Sequence, residues 1–196
     1  MSAQLGRKDL LWKNMNRLRT KHPGDFAIAP MSYLLSDDFE AFQKEREREP
    51  DCLWILKPVA ASCGRGIKII DKNTAIRKKE GILASKYIAN PHLINGLKYD
   101  LRVYVLVTSF NPLKVYIYND GLVRFATEKY TNDPNRLSKK YVHLTNFSVN
   151  KKNANFIKNQ DKLAKGDDDD GDDGENSSKW DFKMLKEAYV KQGINY

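Results

Sequence analysis

The chain has 196 residues, 41% of them hydrophobic and 30% charged. That suits one domain or two small ones and excludes a generally disordered chain. No apolar run approaches the roughly 20 residues of a membrane span, and the start, MSAQLGRKDLLWKNM, lacks both a long apolar stretch and a small-residue cleavage site, so neither a membrane segment nor a secretory signal is expected. Cys52 and Cys63 have the spacing of neither a zinc site nor a disulfide framework and are expected as reduced thiols.

The net charge of +9 is unevenly spread. Residues 166–178, GDDDDGDDGENSS, hold 7 acidic and no basic residues, which leaves 34 basic against 18 acidic residues, or +16, for the rest. Such a body attracts polyanions: nucleic acid, an anionic membrane, nucleotides or an acidic protein segment. Charge alone does not choose among them. The acidic run itself reads as a solvated, disordered insertion.

In chain order, KDLLWKNMNRLRTK is an amphipathic helix with Leu11, Met15 and Leu18 at helical spacing. HPGDFAIAPMSYLL carries turn residues and a short extended piece. SDDFEAFQKERERE is a second helix, which Asp37 can cap with Glu40 three residues on, and Pro50 stops it. CLWILKPVA, IKIID and GILASKYI follow as strands, then the long strand YDLRVYVLVTSF. KVYIYNDGLVRFAT reads as a hairpin around Asn119, Asp120 and Gly121. YVHLTNFSV is a short apolar segment with a polar end, and KWDFKMLKEAYVKQ is a closing helix with Phe182, Leu185 and Tyr189 on one face. Helices first, then mostly antiparallel strands, then a helix make a mixed α+β or α/β fold.

Four segments carry candidate chemistry. In WILKPVAASCGRGIKII, Lys57 interrupts an apolar strand, and an isolated buried charge is costly. It is either a lysine snorkelling at a strand end or an anion contact. The loop after it, with Gly64, Arg65 and Gly66, could cradle phosphate oxygens with backbone N–H groups, or be a plain hairpin loop. It matches neither a Walker sequence nor G-x-G-x-x-G. In LKYDLRVYV, Lys98, Asp100 and Arg102 share one strand face, and Tyr99, Leu101, Val103 and Val105 the other, expected as core. The charged face is either solvated or lines a cleft. Arg124 interrupts the row of Leu122 and Ala126, as a carboxylate clamp or an ordinary edge arginine. HLTNFSVNKK offers Thr145, Asn146 and Ser148 beside Lys151 and Lys152, as turn formers or as phosphate contacts. His22, His92 and His143 form no catalytic or metal pattern with one another or with the cysteines.

Together, RKDLLWKN, WILKP…GRGI, GLKYDLRVYV, YNDGLVRFATEKY and HLTNFSVNKK resemble, in order and spacing, the tubulin tyrosine ligase-like family, in particular its polyglutamylase branch. The resemblance implies an ATP-grasp fold, mostly antiparallel sheet flanked by helices. It also implies an ATP-dependent ligase that adds glutamate to a glutamate side chain of a tubulin tail. By resemblance Lys57 contacts phosphate. Arg65 and Gly66 lie in the loop over the phosphates, with Arg65 also facing the acceptor peptide. Ser85, Lys86, Tyr87 and Ile88 hold the adenine, largely through backbone groups. Family members often have glutamine where Ser85 stands. Lys98, Tyr99 and Asp100 lie in the ATP-contacting segment, Arg102 is a charged cleft residue, Thr145 and Asn146 contact ATP, and Arg124 clamps the incoming glutamate. Phe147, where many relatives have tyrosine, Ser148 and Lys179 complete the glutamate site.

ATP-grasp ligases phosphorylate a carboxylate and let an amine attack the acyl phosphate, so catalysis rests on positioning and charge neutralisation, with Arg65, Arg102 and Arg124 as the candidates. ATP and Mg²⁺ are the implied cofactors. The family's magnesium ligands, an Asp and a later Glu-x-Asn, fall beyond HLTN and its following helix, so none is expected within these residues, and the chain is expected not to complete ligation alone. The expected organisation is an N-terminal helical part (1–50), a central ATP-grasp part (51–155), the acidic insertion (156–178) and the start of a helix (179–196). Expected partners are an acidic tubulin tail or microtubule and free glutamate, not a membrane or nucleic acid. The expected location is the cytoplasm and cytoskeleton, including cilium or basal body. A non-catalytic module binding acidic tails or nucleotide, and a ligase using glycine in place of glutamate, stay open.

Overall fold

The computed structural model describes residues 2–157 and 177–195. The acidic run up to residue 176 lies outside them. The chain divides into two compact units, residues 1–91 with 132–138, and residues 92–131 with 139–196.

In the first unit, helices α1 (Ser2–Gly6), α2 (Lys8–Lys21) and α3 (Pro23–Phe26) precede strand β1 (Ser32–Leu34) and helix α4 (Phe39–Arg48). Strands β2 (Trp54–Pro58), β3 (Lys68–Ile70) and β4 (Ile82–Lys86) follow, and the antiparallel sheet runs β1-β4-β2-β3. α2 spans the predicted residues, but its buried anchor is Trp12 beside Leu34 and Leu83, while Leu11 is 38% exposed. Phe42 of α4 and Trp54 of β2 are fully enclosed and meet edge to face at 5.0 Å, joining helix to sheet.

The cap of α4 differs from expectation. Asp38, not Asp37, is the N-cap residue, and it makes no side-chain cap bond. Its carboxylate instead accepts from the Leu34 amide at 2.9 Å, satisfying the end of β1, while Asp37 pairs with Lys13 at 2.9 Å. The donor left by the strand competes successfully with the donors of the helix.

The second unit contains β5 (Leu93–Ile94), β6 (Leu97–Phe110), β7 (Leu113–Phe125), α5 (Lys140–His143), α6 (Phe147–Asn150), β8 (Lys179–Trp180) and α7 (Phe182–Lys191). Its antiparallel sheet runs β5-β6-β7-β8. Ile94, Val123, Phe125, Trp180 and Leu185 form the core, with Phe182 and Tyr189 packed against it, so the α7 face faces inward as its spacing predicts.

Two expectations fail here. Asn119, Asp120 and Gly121 make no hairpin: β7 runs straight through them, and the turn lies at Asn111–Pro112. The pairing instead slips, from Val103↔Gly121 to Val105↔Ile117, so the turn-forming residues absorb a bulge. Asp120 uses the irregularity to accept from the amides of Gly121 (2.7 Å) and Phe182 (3.0 Å), which pull its carboxyl below the usual range. Nor is the apolar face of β6 core throughout. Tyr99 packs inward, but Leu101, Val103 and Val105 are 45%, 43% and 56% exposed, because α7 and β8 cover only the base of the β6–β7 ribbon. The YVHLTNFSV segment forms two single-turn helices, since Asn146 holds an extended backbone between them.

Asp181 caps α7 by accepting from the Met184 amide at 2.9 Å. Asp181→Ala is expected to lower the unfolding free energy by about 1 kcal/mol, read as a shifted urea midpoint with an unchanged slope.

Candidate functional site

In the first unit Lys57 sits on β2 opposite Leu83 of β4 and is half-buried. Among the described residues it has no carboxylate partner. Burial, and then the nearby Lys8 charge, push its ammonium below the usual lysine value. Lys8, which the sequence reading passed over, donates from Nζ to the carbonyls of Ala61 (2.7 Å) and Pro58 (3.3 Å). Two cations thus stand together where the loop begins. Cys63, Gly64 and Gly66 all have positive φ, and a Cβ on Gly66 would lie 2.8 Å from Pro58 Cγ. Only glycine lets the loop fold back this closely over the end of β2. Arg65 is exposed beside it.

The Ser85–Ile88 segment is largely engaged within the protein. Ser85 is buried, with its hydroxyl 2.8 Å from that of Ser32. Lys86 Nζ is bound to Glu49, which raises the lysine and lowers the carboxyl. The Lys86 and Tyr87 amides donate to Met31 and Leu53 at 2.8 Å each. Ile88 alone of the four is exposed.

In the second unit, Asp100 of β6 and Arg124 of β7 are cross-strand partners in a bidentate pair, Nε to Oδ1 at 2.8 Å and NH2 to Oδ2 at 2.6 Å. The carboxylate raises the arginine further. This fork aims the guanidinium along the sheet. Lys179 of β8 pairs with Arg124 in register, and its ammonium lies 4.1 Å from the Phe147 ring centroid. The Lys151 ammonium lies 5.5 Å from the same ring. Arg124, Thr145, Phe147, Asn150 and Lys179 border one narrow cleft, too tight as it stands to hold a water molecule, and Thr145 is buried. The sheet brings Asp100, Arg124 and Lys179 together, with Thr145 and Phe147 of the α5–α6 segment beside them, though 55 positions part Arg124 from Lys179 in the chain.

Other predicted residues stand apart from that cleft. Lys98 lies 5.9 Å from the Tyr130 ring. The Tyr99 hydroxyl turns inward to Tyr189 (2.7 Å) and His92 (2.9 Å), leaving only backbone for a ligand, and Arg102 is exposed. Asn150, missed from sequence because a lone Asn near lysines reads as a turn residue, is the most enclosed polar side chain described, 1% exposed. A larger cavity of about 210 Å³, lined by Ile94, Phe125, Thr127, Lys129, Ser178 and Trp180 among others, contains none of the predicted side chains. Among the described residues no three His, Cys, Asp or Glu side chains gather as a metal site.

The pattern of the tubulin-tyrosine ligase family matches residues 1–188, and the chain belongs to that family. It is 40% identical over 195 residues to the Homo sapiens protein named tubulin monoglutamylase TTLL4, covering 99% of this chain and 15% of that protein. It is 43% identical over 159 residues to Homo sapiens tubulin polyglutamylase TTLL5, covering 80% of this chain and 12% of the relative. It is 38% identical over 163 residues to Danio rerio tubulin polyglutamylase ttll6, covering 83% of this chain and 21% of the relative. The chain thus spans between 12% and 21% of the length of these relatives.

Proposed function

We propose that these residues are the nucleotide- and amino-acid-binding part of an ATP-dependent ligase that joins glutamate to a glutamate side chain of a tubulin tail. The observation that carries the reading is Lys57, a half-buried cation with no carboxylate partner among the described residues, set beside Lys8 under a glycine loop. A protein that keeps such a charge without an internal counter-ion supplies a place for an external anion. Lys57 and the backbone of the Gly64–Gly66 loop would meet phosphate oxygens, with Arg65 at the loop's exposed side.

Bound ATP would supply the phosphoryl group that activates the acceptor carboxylate. The protein's own part is to hold charge in place. Arg124, fixed by Asp100, and Lys179, seated on Phe147, would meet the carboxylates of free glutamate, a reading supported by their neighbouring strand positions. The +16 body suits an acidic tail as acceptor, and relatives named as tubulin glutamylases make a cytoskeletal partner the reading proposed. No described cluster fits Mg²⁺, so no step is assigned to a metal here.

The test is equilibrium titration of the chain with ATP and, separately, with glutamate in the presence of ATP. ATP should bind, and more weakly at high salt. Arg124→Lys loses the bidentate fork and should weaken glutamate about tenfold while leaving ATP within about twofold. Absence of any ATP binding by the folded chain would sink the reading.

A further inference from the structure

The side chain of Asn150 uses its full hydrogen-bonding capacity inside the second unit. Oδ1 accepts from the Thr127 amide (3.1 Å) and the Thr127 hydroxyl (2.9 Å). Nδ2 donates to the carbonyls of Leu144 (2.7 Å) and Asn146 (3.1 Å). An amide has two acceptor positions and two donors, and all four are occupied. The partners come from two separate places: Thr127 lies just past the end of β7, and residues 144–146 form the extended turn between α5 and α6. Nothing else in the amino-acid alphabet does this at the same size. Aspartate only accepts when ionised, and would face two carbonyl oxygens. Leucine does neither, and glutamine is one methylene too long for a site that is 1% exposed.

We propose that Asn150 is a positioning residue: it clamps the 144–146 turn to the end of β7, fixing where Thr145 and Asn146 stand beside Arg124, Phe147 and Lys179. The part concerning glutamate rests on the ligase reading above; the clamp does not. Thr145 and Asn146 are polar residues on a turn of three residues between two single-turn helices, elements too short to be rigid by themselves. The Thr127 and Glu128 amides both donate to the Tyr141 carbonyl at 3.1 Å and hold α5 to the sheet end, and the Asn150 amide extends that hold to the turn itself. Of the four bonds, the two to carbonyls set the turn and the two to Thr127 set its place against the sheet. All four polar positions of the Asn150 amide are taken up within the protein, so it acts through the turn.

The test uses the whole chain with three substitutions. Asn150→Asp keeps the shape and the acceptors but loses both donors. Asn150→Ala loses all four bonds. Thr127→Val removes only the hydroxyl donor and serves where the Asn150 variants fail to fold. Amide hydrogen exchange, resolved by residue, is the first readout. The Val149, Asn150 and Lys151 amides, which bond back to the turn and its helix, should exchange at least about tenfold faster in both Asn150 variants, and less so in Thr127→Val. Val123 in the same sheet should stay within about twofold. The second readout is glutamate affinity in the presence of ATP, expected to fall about tenfold in Asn150→Asp while ATP affinity stays within about twofold. Uniform acceleration across β6, β7 and α7 would reduce Asn150 to a general stabiliser and overturn the proposal. So would localised loosening with unchanged glutamate affinity. Failure of the unsubstituted chain to bind ATP removes the ligase reading instead, and the exchange pattern then decides the clamp by itself.

Discussion

Gly121→Val should destabilise the second unit by about 3 kcal/mol or more, at the upper end of what overpacking costs. A Cβ at this position would stand 2.4 Å from the Arg102 carbonyl oxygen and 2.6 Å from Phe182 Cζ. The ring can turn aside. The carbonyl cannot, because it belongs to the paired strand β6 opposite the bulge. Relief therefore requires β6 and β7 to separate at the bulge. That movement also strains the Asp120 bond to the Phe182 amide. Gly121→Ala should lose less, with the same sign. Urea unfolding followed by tryptophan fluorescence reads the effect, since Trp180 lies in that core. A valine variant with an unshifted midpoint would show that the strands are free to part at the bulge, contrary to the packing described.

Lys57→Met should have opposite effects on stability and binding. In the folded chain burial and the Lys8 charge disfavour the Lys57 ammonium, so its pKa lies below the ordinary 10.5. Below the folded value, both folded and unfolded chains carry the proton and the folded state bears the whole cost. Between the folded value and 10.5 the unfolded chain still holds the proton that the folded chain has lost, so stability rises with pH across that window. Methionine has the length and no charge. It should raise the unfolding midpoint at neutral pH and remove this alkaline rise relative to the unsubstituted chain. ATP affinity should fall by about 10- to 100-fold, the worth of one charge-assisted hydrogen bond. Gain of stability with loss of binding marks a charge kept for a ligand. A methionine variant that is less stable, with ATP binding intact, would make Lys57 a structural cation.

How far the site could be read from sequence depended on the range of the interactions. The alternation in LKYDLRVYV places Lys98, Asp100 and Arg102 on one strand face, and periodicity places Phe182, Leu185 and Tyr189 on one helix face, because both depend on neighbours a few residues apart. Lys57 within an apolar strand stood out for the same reason. The same local reasoning misjudged Asn119-Asp120-Gly121. Turn chemistry was present, but a register slip with β6 and the ring of Phe182 gave those residues a different task. It also chose Asp37 over Asp38, because the unpaired amide of Leu34 that claims Asp38 is visible only once β1 is in place.

The sequence by itself determined the basic body, the α+β order of elements, the family and where the cations fall along the strands. Tertiary structure decided which of those cations are held and by what. Arg124 is forked by Asp100, Lys179 rests on Phe147, Lys86 is bound to Glu49, and Lys57 keeps no carboxylate among the described residues. It also decided that Asn150 joins the turn to the sheet. The physical reason is that a side chain's partner is set by strand register and by the closure of loops across 20 or more positions, whereas residue type and spacing set only what each side chain is able to bind.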